Sequence, residues 1–253
     1  MAGKLEGRVG VITGGASGIG RATALIMARE GAKVVVSDVQ EEGGEETVNL
    51  IKQSRGEARF VKADVANSDD AEALVARTVE AYGRLDWAFN NAGIAGAIAP
   101  THDYPDADWK RVFDINVNGV WYCMRAEIRR MLEQGGGVIV NTASDAGLIA
   151  LPGISAYVAA KHAVVGLTKA AALEYAKSNI RVVSVCPGYV ETPILDPMKQ
   201  RAPEFLEKAM QDEPVGRLGR TEEIGEAVAW LCSDGASFVT GIAMPVDGGL
   251  LAH

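Results

Sequence analysis

Short runs of β-branched and apolar residues alternate with longer stretches of helical spacing along this chain, and that alternation leaves few folds open to it. Six of the runs are Val9-Gly10-Val11-Ile12, Val34-Val35-Val36-Ser37, Arg59-Phe60-Val61, Leu85-Asp86-Trp87-Ala88-Phe89, Val138-Ile139-Val140-Asn141 and Val182-Val183-Ser184-Val185. A seventh, Ala243-Met244-Pro245-Val246, carries a proline that suits an edge strand or an irregular end. The best of them are continuously apolar, as strands covered on both faces are. Between them, residues 19–30 have apolar positions at three- and four-residue spacing, with Gly31 placed as the C-cap. A helix is expected from near Glu41, another over 69–82 ending at Gly83, a long one over about 108–133 stopped by Gly135-Gly136-Gly137, and another over about 155–177. Repeated β-α-β units predict an α/β fold: one doubly wound parallel sheet of about seven strands with helices on both faces. The 253 residues suffice for one large domain, and no linker or repeat divides them, so residues 1–253 are read as a single domain.

Composition closes off several functions. Lys and Arg number 25 against 33 Asp and Glu, a net charge of −8 with no basic block, which suits neither nucleic acid nor an anionic membrane surface. Cys123, Cys186 and Cys232 lie far apart and are odd in number, which is no disulfide framework and fits a reducing cytoplasm. His102, His162 and His253 make no zinc-ligand spacing with them. The first residues read as mature protein, and no apolar run approaches the length of a bilayer span.

The first strand runs into Thr13-Gly14-Gly15-Ala16-Ser17-Gly18-Ile19-Gly20, and a helix follows at once. Such a loop lets backbone approach a pyrophosphate, while the helix N-terminus offers free N–H groups at its positive dipole end. The spacing is Gly-x-x-x-Gly-x-Gly rather than Gly-x-Gly-x-x-Gly. A tight strand–helix connection would also use these glycines; their place after the first strand is what favours a dinucleotide and a Rossmann-type sheet. Asp38 ends the second strand, 18 residues beyond Gly20, where such folds read the adenosine ribose. A carboxylate there accepts from both ribose hydroxyls and repels a 2′-phosphate, and no Arg or Lys lies in the loop or directly after Asp38 to receive one. The plain alternative is a turn aspartate capping the helix near Glu41. Asp64, read as ending the third strand beside Val65, is placed either to meet the adenine amino group or to cap the next helix.

Of the six tyrosines only Tyr157 has a lysine four residues later, Lys161. On a helix these share a face. A phenol of pKa about 10 is a poor base, and bringing it to about 7 takes roughly 4 kcal/mol. A unit charge about 4 Å away at an effective dielectric of about 20 supplies a similar amount, so the pair can make an acid/base of useful pKa. Alone, the spacing describes an ordinary solvated helix face. Its context argues otherwise. Ser144 lies 13 residues before Tyr157, just past the fifth strand, and Asn90-Asn91-Ala92-Gly93 sits at the same end of the fourth, where ligands bind in such sheets. Asn116 lies mid-helix, where a polar residue is either exposed or bonded to a kinked backbone.

Taken together, Thr13-Gly14-x-x-x-Gly18-x-Gly20, Asn90-Asn91-Ala92-Gly93, Asn116, Ser144, Tyr157-x-x-x-Lys161, Pro187-Gly188 with Thr192, and Asp247-Gly248-Gly249 resemble the short-chain dehydrogenase/reductase family in its short, single-domain branch. The likeness spans nearly the whole chain and departs at none of the catalytic positions. It implies an NAD-dependent oxidoreductase acting on a secondary alcohol or ketone. Tyr157 is then the acid/base, Lys161 lowers its pKa and holds the nicotinamide ribose, Ser144 hydrogen-bonds the substrate oxygen, and Asn116 holds a water relaying protons from Lys161. Gly14, Ser17, Gly18, Ile19, Gly20, Asp38, Asp64, Val65, Asn91, Ala92, Gly93, Tyr157, Lys161, Pro187, Gly188, Val190 and Thr192 lie along the cofactor, and no metal is needed.

Two similar segments, Val164-Val165-Gly166-Leu167-Thr168 and Ser237-Phe238-Val239-Thr240-Gly241, resemble relatives that oxidise cyclic alcohols or diols. The likeness also implies a lid over about 192–215 and a homotetramer built through the two long helices and the C-terminal segment. Ala159, Ala160, Ala163 and Gly166 would permit close approach of a second subunit or, equally, packing within one chain. Ile194, Leu195, Met198, Phe205, Leu206 and Met210 on the lid, with Leu148, Leu151, Ile154, Ile94 and Ile98, form an apolar pocket, with Lys199, Arg201 and Lys208 expected on the solvent face. The competing readings are a ketoreductase for carrier-bound acyl chains, favouring NADPH and a basic docking surface; a catalytically silent NAD-binding regulator; and a sugar-nucleotide epimerase, for which the chain is too short.

Overall fold

A computed structural model describes residues 3–196 and 213–252. Seven strands, β1 (Val9–Thr13), β2 (Lys33–Asp38), β3 (Glu57–Lys62), β4 (Trp87–Asn90), β5 (Gly137–Thr142), β6 (Ile180–Pro187) and β7 (Ala243–Val246), form one sheet in the order β3-β2-β1-β4-β5-β6-β7. Every pairing is parallel. The helices are α1 (Gly18–Arg29), α2 (Glu41–Gln53), α3 (Ser68–Tyr82), α4 (Asp106–Phe113), α5 (Gly119–Gln134), α6 (Ser155–Tyr175) and α7 (Thr221–Cys232).

The continuous apolar strands have the cause inferred for them. Val34, Val36, Val138 and Val140 face one layer with Ile26, Val48, Ile224 and Val228, while Val35 and Ile139 face the other with Leu74, Met124, Ile128 and Val164. Each such fully buried side chain contributes about 1.5–3 kcal/mol relative to leaving it in water. Pro245 lies on β7, which pairs only with β6, so its missing N–H breaks no ladder.

Some elements differ from expectation. The fourth strand starts at Trp87, two residues late, and the third ends at Lys62, leaving Asp64 in the turn beyond it. The long helix runs from Asp106 to Gln134, but a wider π turn over Asp114–Asn118 interrupts it. Gly135 terminates it in the left-handed region, while Gly137 already begins β5. The helix α7 has no counterpart in the sequence reading, although Ile224, Val228 and Leu231 have helical spacing and all pack against the core. The expected lid at about 192–215 falls mostly on residues 197–212, and Met198, Phe205, Leu206, Met210, Lys199, Arg201 and Lys208 lie outside the described residues.

Beneath the active end of the sheet lies a buried polar chain. Asn90 Nδ2 donates to Glu127 Oε2 and to Asn141 Oδ1, each at 3.0 Å, and Asn141 Nδ2 donates to Thr168 Oγ1 at 3.0 Å. These bonds tie β4 and β5 to α5 and α6. Burial pushes the Glu127 carboxyl from an ordinary 4.5 up to about 8, against the lowering effect of the Asn90 bond. A carboxyl raised in the folded state gives up a proton more readily when unfolded. Its stabilisation is therefore fully present below about 4.5 and is lost as pH rises through about 8. Thermal midpoints of the wild type should fall across that window, and Glu127→Gln should flatten the fall; an equal slope in both proteins counts against a neutral Glu127.

Candidate active site

The carboxyl ends of the central strands bring the sequence-derived residues into one crevice. At β1 the chain enters the glycine loop, where Gly14 has φ +66° and Gly18 φ +52°. A Cβ on Gly20 would collide with the Gly14 carbonyl oxygen, and one on Gly14 would sit 2.9 Å from Ala92 Cα, so both positions require glycine. Ser17 is the N-cap of α1, its side chain makes no capping bond, and the first turn holds no acidic residue. The positive end of α1 is thus left for an anion, as a phosphate cradle requires. Across the crevice a Cβ on Gly18 would approach Thr192 and Pro193 at 3.5 Å, and Val190 is buried behind Thr192, whose Oγ1 donates to its carbonyl at 3.2 Å.

Asp38 accepts from Ala16 N at 3.0 Å through Oδ2 and from Gln40 N at 2.9 Å through Oδ1. It therefore supports the loop and the turn, and each oxygen keeps a lone pair for a ribose hydroxyl. The N-cap of α2 is Gln40, so Asp38 is not that cap. Glu41 and Glu42 follow in the first turn of α2 and add to the negative charge. Arg21, overlooked because it lies one residue past the loop, places its guanidinium on Ala16 O, Gly43 O, Thr47 Oγ1 and Glu46 Oε2. Asp64 Oδ1 accepts from Ala66 N at 3.0 Å, and the cap of α3 is Asn67, so the helix-cap alternative for Asp64 is not what forms. Val65 is buried against Ala92 and Cys123.

Thr13, which opens the glycine motif, anchors the next strand through its side chain. Its Oγ1 accepts from Asn91 N and Ala92 N at 3.0 and 3.1 Å, while Asn91 Nδ2 donates to the carbonyls of Thr13 and Gly14. Asn116 sits in the π turn with Oδ1 accepting from Ile94 N at 2.9 Å and Nδ2 donating to Ile94 O at 2.8 Å. Of the two alternatives for a mid-helix asparagine, the bonded kink is the one found. Both ends of its amide are engaged with Ile94, so its side chain clamps the Ile94 backbone against the π turn. A Cβ on Gly93 would lie 3.3 Å from Asn116 Oδ1 and 3.6 Å from Lys161 Nζ, which places the three together. At the sixth strand the Pro187-Gly188 turn abuts Glu213 and Asp247.

Tyr157, Lys161 and Ser144 meet behind Gly93. Lys161 Nζ donates to Thr142 O at 2.8 Å and stands 5.4 Å from the centre of the Tyr157 ring. Ser144 faces the phenol, and burial pushes Tyr157 up to about 12, with the Ser144 contact lowering it and the charge of Asp145 raising it. Burial likewise pushes Lys161 down to about 8. Burial favours the neutral phenol, and the Lys161 ammonium faces the ring and the Thr142 carbonyl. Asp145, absent from the sequence reading, is buried and bonded to Ser144. Its neighbour Ser144 was the only signal for it. Among the described residues no group of three or more His, Cys, Asp or Glu could hold a metal ion.

The loops framing the mouth are apolar. Ala99 and Ile154 form a parallel bridge, Ala99 N donates to Gly153 O at 2.9 Å, and Ile98 packs beside Gly153. Ile94, Ile98, Leu148, Leu151 and Ile154 thus lie on two adjoining loops, and Ile98 and Leu148 are exposed.

Comparison with known proteins agrees with this architecture. The family model described as "Enoyl-(Acyl carrier protein) reductase" matches residues 14–251. A cyclohexanol dehydrogenase from Acinetobacter sp. (strain SE19) is 49% identical over 98% of this chain and 96% of that protein. A 2,5-dichloro-2,5-cyclohexadiene-1,4-diol dehydrogenase from Sphingobium indicum is 44% identical over 98% of each chain. A crystal structure of levodione reductase superposes with a TM-score of 0.94 at 42% identity, covering 98% of this chain and 100% of that one. A seven-stranded doubly wound sheet, the crevice at its carboxyl ends and these matches along the full length place the chain in the short-chain dehydrogenase/reductase family, among the oxidoreductases that use a nicotinamide cofactor.

Proposed function

We propose that residues 1–253 form one catalytic domain that interconverts an apolar cyclic secondary alcohol and its ketone, with NAD(H) preferred over NADP(H). The observation that carries the reading is the meeting of Ser144, Tyr157 and Lys161 behind Gly93, at the mouth of a crevice walled by Ile94, Ile98, Leu148 and Ile154. Apolar walls with a few convergent polar groups suit an apolar ligand. The named relatives act on ring alcohols, diols and a dione by their titles, which points the same way.

The cofactor, when bound, takes up or returns the hydride and brings the positive charge of its oxidised ring into the site. The remaining chemistry belongs to the chain. Gly14, Ser17, Gly18, Ile19 and Gly20 receive the pyrophosphate at the uncapped end of α1. Asp38 receives the ribose hydroxyls, Asp64 and Val65 flank the adenine, and Asn91, Ala92, Gly93, Pro187, Gly188, Val190 and Thr192 line the remaining length. Ser144 fixes the substrate oxygen. Tyr157 takes the alcohol proton in oxidation and returns it in reduction, while Lys161 binds the nicotinamide ribose and passes the proton on through a water at Asn116. The lid at about 192–215 closes over the substrate. Three free, buried cysteines suit a cytoplasmic protein.

The family model's description favours a second reading, a reductase for carrier-bound acyl chains. The net charge of −8 and the acidic run Asp38, Glu41, Glu42 weigh against a basic docking surface and against a 2′-phosphate.

A homotetramer is proposed on the exposed apolar groups of the two long helices and the C-terminal segment. Trp121, Leu173 and Phe238 are exposed, Leu173 at 85% and Phe238 at 103%. Ala160 is used within the chain, but nothing lies within 4 Å of a Cβ at Gly166, which leaves room for a neighbour.

Three measurements test these statements. Cyclohexanol with NAD should be oxidised, a hydroxy acid of similar size should be a poorer substrate, and Tyr157→Phe should abolish turnover while NADH binding, followed by fluorescence, survives. A tenth of wild-type activity in Tyr157→Phe, or a preference for the acid that Arg201→Ala removes, contradicts the reading. NAD should exceed NADP by more than about tenfold in kcat/KM, about 1.4 kcal/mol, and Asp38→Ala should narrow the ratio; equal use of both by the wild type refutes the role of Asp38. Sedimentation at micromolar concentration should find a tetramer, and a stable monomer would disprove it.

A further inference from the structure

We propose that Arg21 is a positioning residue for the adenosine end of the cofactor: by holding Ala16 between α1 and α2 it fixes the Asp38 carboxylate for the ribose hydroxyls. This rests on the ribose role given above to Asp38. The guanidinium reaches from α1 to both the glycine loop and α2. Nη2 stands 2.6 Å from Ala16 O and 3.2 Å from Gly43 O, and Nε donates to Thr47 Oγ1 at 3.0 Å. Thr47 is fully buried, and its hydroxyl stands 2.9 Å from Gly15 O and 3.0 Å from Gly43 O. A threonine hydroxyl has one proton to give, and with Nε donating to its oxygen that proton goes to one of these two carbonyls. Fork and hydroxyl together tie two consecutive carbonyls of the glycine loop, at Gly15 and Ala16, to the first two turns of α2.

Ala16 carries this restraint to Asp38. Its carbonyl takes the guanidinium and its amide donates to Asp38 Oδ2 at 3.0 Å, while a Cβ on Gly43 would come within 3.0 Å of Ala16 Cβ. The other carboxylate oxygen accepts from the amide of Gln40, the N-cap of α2. Asp38 is therefore held at one oxygen by the glycine loop and at the other by the start of α2. The direction in which its remaining lone pairs point depends on how those two elements sit against each other, and Arg21 with Thr47 sets that. Arginine suits the place because a planar fork meets Thr47 through Nε and the carbonyls through Nη2 at once, whereas an ammonium on a flexible stem is a single point of charge. The pairing with Glu46, at 2.6 Å, is the lesser part of the arrangement, since Glu46 is 60% exposed and water screens it.

The test is a double-mutant cycle read by fluorescence titration with NADH and NADPH. Arg21→Met keeps the stem and removes the fork; Arg21→Lys keeps the charge without the fork and carries the same test if the first variant does not fold. In either variant the Kd for NADH should rise about tenfold and that for NADPH should rise less, so that the preference narrows. In cyclohexanol oxidation KM for NAD should rise while kcat stays within about twofold. A merely structural role would lower the number of competent sites and kcat, or weaken both dinucleotides alike, and would leave the NADH to NADPH ratio in place. In the Asp38→Ala background Arg21→Met should add less than about twofold, because Asp38 is the group through which it acts. An unmoved ratio in a variant that melts like the wild type, or effects that multiply in the double variant, overturns the proposal. Asp38→Ala distinguishes the two levels of failure. If that variant alone leaves NADH binding and the ratio unchanged, the ribose reading falls and the role of Arg21 with it; if it moves both while Arg21→Met moves neither, only the role of Arg21 falls.

Discussion

Thr13 and Asn91 join the two strands at which the winding of the sheet reverses, and the geometry of the site hangs from that junction. In the order β3-β2-β1-β4-β5-β6-β7 the chain leaves β1 toward one edge and β4 toward the other, which opens a crevice between their carboxyl ends. Two strands diverging there would expose their last amides and carbonyls. Thr13 Oγ1 takes the amides of Asn91 and Ala92, and the Asn91 amide returns bonds to the carbonyls of Thr13 and Gly14. Each bond contributes about 1 kcal/mol net, and leaving one of these part-buried groups unpaired costs about 1–3 kcal/mol. The chain of contacts continues outward. Thr142 Oγ1 reaches Asn91 Oδ1, Lys161 reaches the Thr142 carbonyl, and the Lys161 ammonium stands over the Tyr157 ring. The glycine loop and the phenol are thereby held in one register through side chains on four strands and helices.

Burial sets the electrostatics of that chain. Tyr157 and Lys161 share a helix face as the i, i+4 spacing requires, yet both are displaced toward their neutral forms, one up to about 12 and the other down to about 8. A simple estimate at surface dielectric gives the ammonium the larger effect; removing water from both groups reverses it. Both groups are thus held toward their neutral forms at the closed end of the crevice.

The strands, their parallel order and most helices were legible because a sheet buried on both faces leaves a local trace: continuous β-branched runs separated by helical spacing. Asp64 was misjudged by two residues, since a strand end is decided by where the partner strand stops and not by composition. The helix α7 was missed although Ile224, Val228 and Leu231 mark it, because the alternation of strands drew the reading past it. The π turn around Asn116 left a subtler trace. A mid-helix asparagine signalled something irregular, but its partner, the Ile94 backbone, is 22 residues away and could not be inferred from spacing.

The same distinction separates the reaction from the substrate. Ser144, Tyr157, Lys161 and Asp38 are fixed by regular elements whose ends the sheet topology determines, so their spacing in sequence survives as a readable pattern. Glu213 and Arg21 bond to groups on other elements and Asp145 to the loop residues beside it, and nothing in a linear pattern distinguishes them from ordinary loop or surface charges. The apolar groups at the mouth of the crevice lie on the loops carrying Ile94, Ile98, Leu148 and Ile154. The bridge between Ala99 and Ile154 sets the spacing of these loops, not any helix or strand period. Shape at such a mouth depends on side chains that bury little in the sheet and can change without disturbing it. The buried ends of the strands therefore constrain what chemistry is possible, while the choice of ring or chain rests with residues whose positions the fold leaves free.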